Sequence, residues 1–392
     1  MTVLLLTLCF GLLAAGLPSH SQPQDVHSKQ QIWPTIGLAN VTKVEMTGLK
    51  GRSIMGPFMG VDFPDPSIIS ANGVWYAYAT TSNGKKIPVA TSQDTFVSQG
   101  QDQFTWTLTG NDALPDAGAW ADNSLGIWAP DVQINDAGQF VMCTLCSDLE
   151  GADYTAWKTG GTHCIGVATS TTATGPFIPN STPLICNDAG GGAIDASGYD
   201  DGTNRWILWK VDGSALGGAT TLSTLQPMLY AGLGLQTGGV AREKYSTPIM
   251  IQQVARDAVT LVGSAYQILD NVGYNNNGIV EAPALYKLPA GGYVLFYSAH
   301  CYSSDNYDIE AAFSSTVCTS TVINGAYTNR IIVMNTANDY GIYGPGGLDL
   351  DPNGKSVVFH GRLNANDGHG IRELFAGDIS ISGSGSGGSV TY

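Results

Sequence analysis

The sequence predicts an all-β fold, a five-bladed β-propeller. Glycine supplies 50 of the 392 residues while only 12% are charged. Short runs rich in Thr, Tyr, Ile and Val alternate with Gly/Asn/Asp clusters, the pattern of short strands joined by turns. No long amphipathic helical pattern occurs, which weakens an α/β barrel with its alternating helices. A strand–turn–strand unit recurs in five spaced groups. Four-stranded sheets repeated radially leave only short, protected edges. The repeats and the total length favour five blades over seven, with a β-sandwich carrying decorated loops as the alternative.

The chain opens MTVLLLTLCFGLLAAGLPSH. Its apolar run ends in small residues, as in a secretory signal peptide, although no positive charge precedes it. The run is short for a membrane span. Residues 1–20 are therefore read as a cleaved signal and the mature protein as secreted and extracellular. Residues 21–55 read as a leader, and the folded domain as 56–382. The five units are GVWYAYATTS (73–82) with KIPVATS (86–92); PDVQINDAGQFVMCTL (130–145) with CIGVATS (164–170); RWILWKVDG (205–213); APALYKLPAGGYVLFYSAH (282–300); and LDPNGKSVVFHGRL (350–363) with IRELFAGDIS (371–380). Residues 383–392 read as a flexible Gly/Ser-rich tail.

The formal net charge is −15 and no basic stripe offsets it. Nucleic acid and anionic membranes are thus unexpected partners, and a neutral polysaccharide fits better. Removing the signal leaves six cysteines, and an even number in an exported chain suggests disulfides. Cys301 and Cys318 bracket one local segment and are the first expected pair, with Cys143, Cys146, Cys164 and Cys186 pairing among themselves. Cys143 and Cys146 form a CxxC motif, but it lies in a strand-like run without a second CxxC, which disfavours a redox or zinc role. Asn40 and Asn180 head N-glycosylation sequons.

Three carboxylates stand at strand-like segments far apart in the chain: Asp65 in DFPDPSII, Asp195 in GGAIDASGYDDG and Glu281 in IVEAPALY. Prolines flank Asp65 and restrict its backbone, whereas the competing Asp62 lacks them. Glu281 stands in an apolar run, where burial raises a carboxyl pKa and suits a general acid. Glycines before Asp195 allow close approach of backbone or ligand, while Asp200 and Asp201 read as turn residues. The plain alternatives are a turn aspartate at 65 and a solvent-facing edge residue at 281. Two carboxylates serving as acid and base, with a third adjusting charge, point toward glycoside hydrolysis. Trp128 and nearby Trp120 offer either a sugar-stacking wall or core packing, and Asp131 either orients substrate or ends a turn. His360 could face a channel and bind a metal or a water shell. Arg362 and Arg372 are notable among only 17 Lys plus Arg. No GxSxG elbow, dinucleotide fingerprint or P-loop ending is present.

FPDPSII with WYAYATTS, IWAPDVQ, GPF at 175–177, AIDASGYDDG, VEAPALY with YVLFYS, GPGG at 344–347 and FHG at 359–361 follow one another in an order that resembles glycoside hydrolase family 43. The resemblance implies an inverting five-bladed propeller. By position it implies Asp65 as general base, Glu281 as general acid and Asp195 as modulator and orienter of the acid. It places Arg372 at the sugar site, Trp128 at its aromatic wall, and His360 near a central cation, often calcium, reached mainly through waters. No cofactor is implied for the chemistry. Two departures accompany it: Gly347 stands where many members carry histidine, and no C-terminal β-sandwich follows. The expected substrate is α-L-arabinofuranosyl linkages in arabinan or arabinoxylan, acted on by a monomer. β-1,4-xylosidase, exo-β-1,3-galactanase and a non-catalytic carbohydrate-binding propeller are the alternatives.

Overall fold

The structure, a computed structural model, describes residues 54–93, 105–147, 162–216, 246–272, 278–318, 326–337 and 341–392. The signal, most of the leader and the Asn40 sequon lie outside them. Strand β1 (Ile54–Phe58) comes first. The first blade is β2 (Ser67–Ala71), β3 (Val74–Tyr78), β4 (Pro88–Ser92) and β5 (Thr107–Asp112). The second is β6 (Trp128–Ile134), β7 (Phe140–Ser147) and β8 (His163–Ser170), edged by the short β9 (Ile178–Pro179) and β10 (Ile185–Cys186). The third is β11 (Ala193–Asp200), β12 (Arg205–Val211), β13 (Ile249–Val254) and β14 (Leu261–Leu269). The fourth is β15 (Val280–Lys287), β16 (Tyr293–Ala299), β17 (Asp308–Ser314) and β18 (Thr328–Met334). The fifth is β19 (Tyr343–Leu350), β20 (Ser356–Arg362) and β21 (Glu373–Asp378), completed by β1, which pairs antiparallel with β21. Each of the five sequence units falls in its own blade, so the five-bladed β-propeller holds.

The core is five seams, one between each pair of neighbouring blades. Strand alternation feeds them, because successive side chains point to opposite faces of a sheet. In β12, Trp206 and Leu208 enter the seam with the fourth blade, while Ile207 and Trp209 enter the seam with the second. In β16, Val294 and Phe296 face the fifth blade, and Leu295 and Tyr297 the third. A middle strand packed on both faces is apolar throughout, which is why RWILWKV and YVLFYSA carry no in–out polar alternation. Outer strands such as β5 are far more exposed.

The structure corrects three expectations. The first described strand starts at Ile54, two residues inside the expected leader, and it closes the ring. The tail is a hairpin, β22 (Ser380–Ser384) with β23 (Gly387–Thr391), and its Gly388 packs closely on Phe313. Its Ser-Gly alternation lets two narrow strands pair where composition alone suggests flexibility. Cys301 and Cys318 are both free, whereas Cys164 and Cys186 form a disulfide between facing positions of β8 and β10. Cys301 and Cys318 flank opposite ends of β17, a strand roughly 20 Å long, beyond any disulfide's reach. Cys143 is buried and unbonded, so it does not pair within the 143–186 group, and burial raises its thiol pKa.

Candidate active site

Each blade contributes one backbone kink at the ring axis. Asp65, Ala129, Asp195, Ala282 and Gly347 have φ of 50°, 43°, 55°, 51° and 61°. Left-handed backbone is uncommon for residues other than glycine, and such outliers cluster at functional sites. At Asp65, Ala129 and Ala282 the next residue is proline, which already narrows the neighbour's backbone choices. The strand ladders slip beside the kinks, between Trp128 and Asp131, Ile194 and Ser197, and Glu281 and Ala284. Slips of this kind re-aim side chains at strand ends. The five kinked segments together line an open depression that includes Asp65, Asp131, Asp195 and Ala282.

Asp65 is clamped from three sides. Arg372 Nη1 donates to its Oδ1 at 3.0 Å, Thr80 Oγ1 donates to its Oδ2 at 2.7 Å, and its own N–H donates to His360 Nδ1 at 3.0 Å. Burial works against its charge, but the Arg372 guanidinium and the Thr80 hydroxyl more than offset that and hold its pKa below the ordinary value. Asp65 is therefore a carboxylate at working pH. Asp62 carries a supporting contact instead, accepting the Arg372 backbone N–H at 2.8 Å. Arg362 does not enter the site. It is buried, and it ties down the loop after β16 by donating to Tyr302 O and Asp305 Oδ1.

Glu281 is held at both oxygens. Tyr307 Oη donates to Oε1 and Lys210 Nζ to Oε2, each at 2.8 Å. Asp195 joins it through the adjoining backbone, accepting the Ala282 N–H at 3.0 Å. Burial, then the nearby Glu281 charge, pushes Asp195 up to about 8. Asp195 therefore keeps its proton at neutral pH. Lys210 is buried, yet Glu281, Asp212 and Asp195 outweigh burial and keep it charged. The network runs on from Lys210 to Asp212 at 3.3 Å and from Asp212 to His163 at 3.3 Å. The His163 ring lies against Trp128, with centroids 5.0 Å apart. Trp128 is thus part of the site's polar surround, whereas Trp120 packs on Gly166 within the second blade.

Tyr307, Lys210 and Thr80 are absent from the sequence reading. Lys210 had a signal, as the one charge closing the apolar run WILWK. Tyr307 and Thr80 had none, because they reach the carboxylates from neighbouring strands and loops. Asp131 is buried, accepts the Gly198 N–H at 2.9 Å, and is pushed well up by burial and by Asp349. It ties β6 to β11 at the floor of the depression.

His360 is fully buried and stacked on Tyr307, at a centroid distance of 5.9 Å and 11° between planes. Burial and Arg372 depress its pKa to about 3, so the ring is neutral. Since Nδ1 accepts the Asp65 amide proton, the ring's own proton sits on Nε2. That nitrogen is buried without a partner among the described residues. A protonated nitrogen cannot ligate a cation, so His360 does not fit direct coordination, although it suits donation to a water. Gly347, the departure noted above, has a steric cause: a Cβ there would meet His360 Nδ1 at 2.9 Å and Asp65 Cα at 3.2 Å.

The sequence model described as glycosyl hydrolases family 43 matches residues 54–382, which is the whole propeller. The chain belongs to glycoside hydrolase family 43. It is a glycoside hydrolase. A search of curated proteins returns no match. Among solved structures, the chain is similar to a thermostable family-43 glycoside hydrolase at 22% identity and TM-score 0.62, covering 86% of this chain and 95% of that one. It is similar to a Bacillus subtilis arabinanase at 21% identity and TM-score 0.53, covering 82% and 95%. It is also similar to an endo-1,4-β-xylanase of Bacteroides thetaiotaomicron at 22% identity and TM-score 0.57, covering 86% and 96%. At such identities these likenesses speak for the fold.

Proposed function

We propose that this family 43 member cleaves α-L-arabinofuranosyl linkages in plant cell-wall arabinan or arabinoxylan by an inverting acid/base mechanism. The observation that carries the mechanism is the contrast between the carboxyls. Asp65 is held ionised by Arg372 and Thr80, while Glu281 is gripped by Tyr307 and Lys210 beside Asp195, which keeps its own proton. Carboxyls set in such different surroundings take opposite roles as base and acid. Asp65 Oδ accepts a proton from a water on one face of the sugar. Glu281 delivers its proton to the leaving glycosidic oxygen on the other face, and water attack inverts the anomeric centre. Asp195, protonated below about pH 8, sits beside the acid and holds its backbone by accepting the Ala282 N–H. Tyr307 and Lys210 fix the direction in which Glu281 points. Arg372 and Trp128 stand where they could meet the sugar. No step requires a metal. A calcium ion at the axis, if bound, would be reached through waters and not through His360 Nε2.

Arabinanases among the similar structures align over nearly their full length, including the Bacillus subtilis protein at 95%, and this supports the arabinofuranosyl reading. Xylan-active proteins align comparably, the RS223 β-xylosidase over 95% of its length, and they support β-1,4-xylosides as the second reading. A hydrolysis screen on linear arabinan, arabinoxylan, xylo-oligosaccharides and galactan, with products resolved by length, separates them. Arabinose alone marks exo action and an arabino-oligosaccharide ladder endo action. Xylose release without arabinose would replace the first reading by the second. Export and a monomeric state belong to the same proposal, tested by finding the processed chain in culture medium at monomer mass.

A further inference from the structure

Away from the carboxylate site, one set of three ligand-type side chains converges among the described residues: His300, Asp308 and Glu310. His300 directly follows β16. Asp308 and Glu310 alternate along β17 with Ile309 and Ala311, so they face the third-blade side of the sheet. Tyr307, which reaches Glu281, precedes them and stacks on His360 of the fifth blade. One donor atom from each of the three residues lies within 4.8 Å of the others. Bonds of about 2.1 Å to a shared ion place donors roughly 3–4 Å apart, so a small inward turn of the part-exposed imidazole completes the set.

A second observation points to a ligand. Asp308 is 4% exposed, and its Oδ1 has no hydrogen-bond partner among the described residues. Buried carboxylate oxygens without a donor are uncommon and call for an explanation. This one lies beside a second buried carboxylate, Glu310, and His300 Nε2 stands 4.0 Å from Asp308 Oδ2. Tyr297 Oη donates to Glu310 Oε2, orienting that carboxylate as outer-shell donors do around bound metals.

We propose that His300, Asp308 and Glu310 bind a divalent transition-metal ion of the zinc class. One imidazole with two carboxylates suits zinc or manganese, whereas calcium takes six to eight oxygen donors. The ion bridges the end of β16 to the start of β17, at the base of the loop that presents Tyr307 to Glu281.

The test is calorimetric titration of the EDTA-treated full chain with zinc chloride, with manganese and calcium chlorides as comparisons, beside His300→Asn and Asp308→Asn. Asparagine tolerates the left-handed backbone at position 300, where φ is 72°. The expected result is one zinc per chain, affinity lower by at least about 100-fold in each variant, and zinc raising the melting temperature of the unmodified chain alone. If Asp308→Asn fails to fold, His300→Asn with an unchanged circular dichroism spectrum carries the test. No zinc binding, equal binding by folded His300→Asn, or a preference for calcium overturns the proposal.

Discussion

At the scale of single residues, the site works by holding similar groups in different protonation states. Glu281→Gln and Asp65→Asn each remove one proton-transfer partner. Steady-state kinetics should show kcat lower by roughly 10²–10⁴-fold for each, with each variant still melting cooperatively as a folded chain; near-native turnover in either contradicts the roles. Asp65 is held low and Asp195, beside Glu281, holds its proton up to about 8, so the pH–rate profile should have an alkaline limb near that value as Asp195 ionises. Asp195→Asn removes the group that ionises near pH 8 beside Glu281. The alkaline limb near that value should be lost, and an unmoved limb would detach Asp195 from the acid. The three carboxylates were legible in the sequence because each stands beside a strand start, Asp65 between two prolines and Glu281 two residues before one. Tyr307 and Thr80 were not, since a single tyrosine or threonine carries no local mark of the distant carboxylate it reaches.

At the scale of elements, the inner strands matter most. Their five left-handed residues re-aim the chain so that side chains from five blades meet at one depression. The GPGG turn at the start of β19 shows the packing cost of that meeting. A Cβ on Gly346 would lie 2.0 Å from Tyr307 Cε1. Gly346→Ala should lose about 1–3 kcal/mol of stability in denaturant unfolding. It should also lower kcat by displacing Tyr307 from Glu281, and a neutral outcome in both would contradict this packing. Strand positions were readable from the Thr/Tyr/Ile/Val runs, and the doubly apolar middle strands marked both faces as buried. β1 and the terminal hairpin were not readable. β1 contains Gly56 and Pro57 and becomes a strand only because β21 offers an open edge.

At the scale of the whole molecule, the ring buries several carboxyls near its axis, and their balance sets the pH dependence of stability. Asp195 is raised to about 8 and Asp349 to about 7, burial being the main cause for both. Between their unfolded value of about 4 and these folded values, the native chain binds protons that the unfolded chain has released. Their contribution is complete below about pH 4 and is lost as pH rises through 7 and 8. Asp65 and Asp212 are depressed, Lys210 being the main offset to burial at Asp212, so their contribution is lost on acidification below about pH 4. Thermal melts across pH should peak in the mildly acidic range and decline toward pH 8.5. A flat or rising alkaline side would contradict the protonated state of the axial carboxyls. Five blades were legible from five repeats. Their closure by the first strand was not, because the partner lies more than 300 residues away.

The central claim is single-displacement hydrolysis with Asp65 as base and Glu281 as acid. Proton NMR of the first turnovers on whichever glycan of the screen is cleaved tests it most directly, by reading the anomeric configuration of the new reducing end before mutarotation. Inversion is expected, with β-arabinofuranose appearing first from α-linked arabinan. A product of retained configuration would require a covalent intermediate and would contradict it.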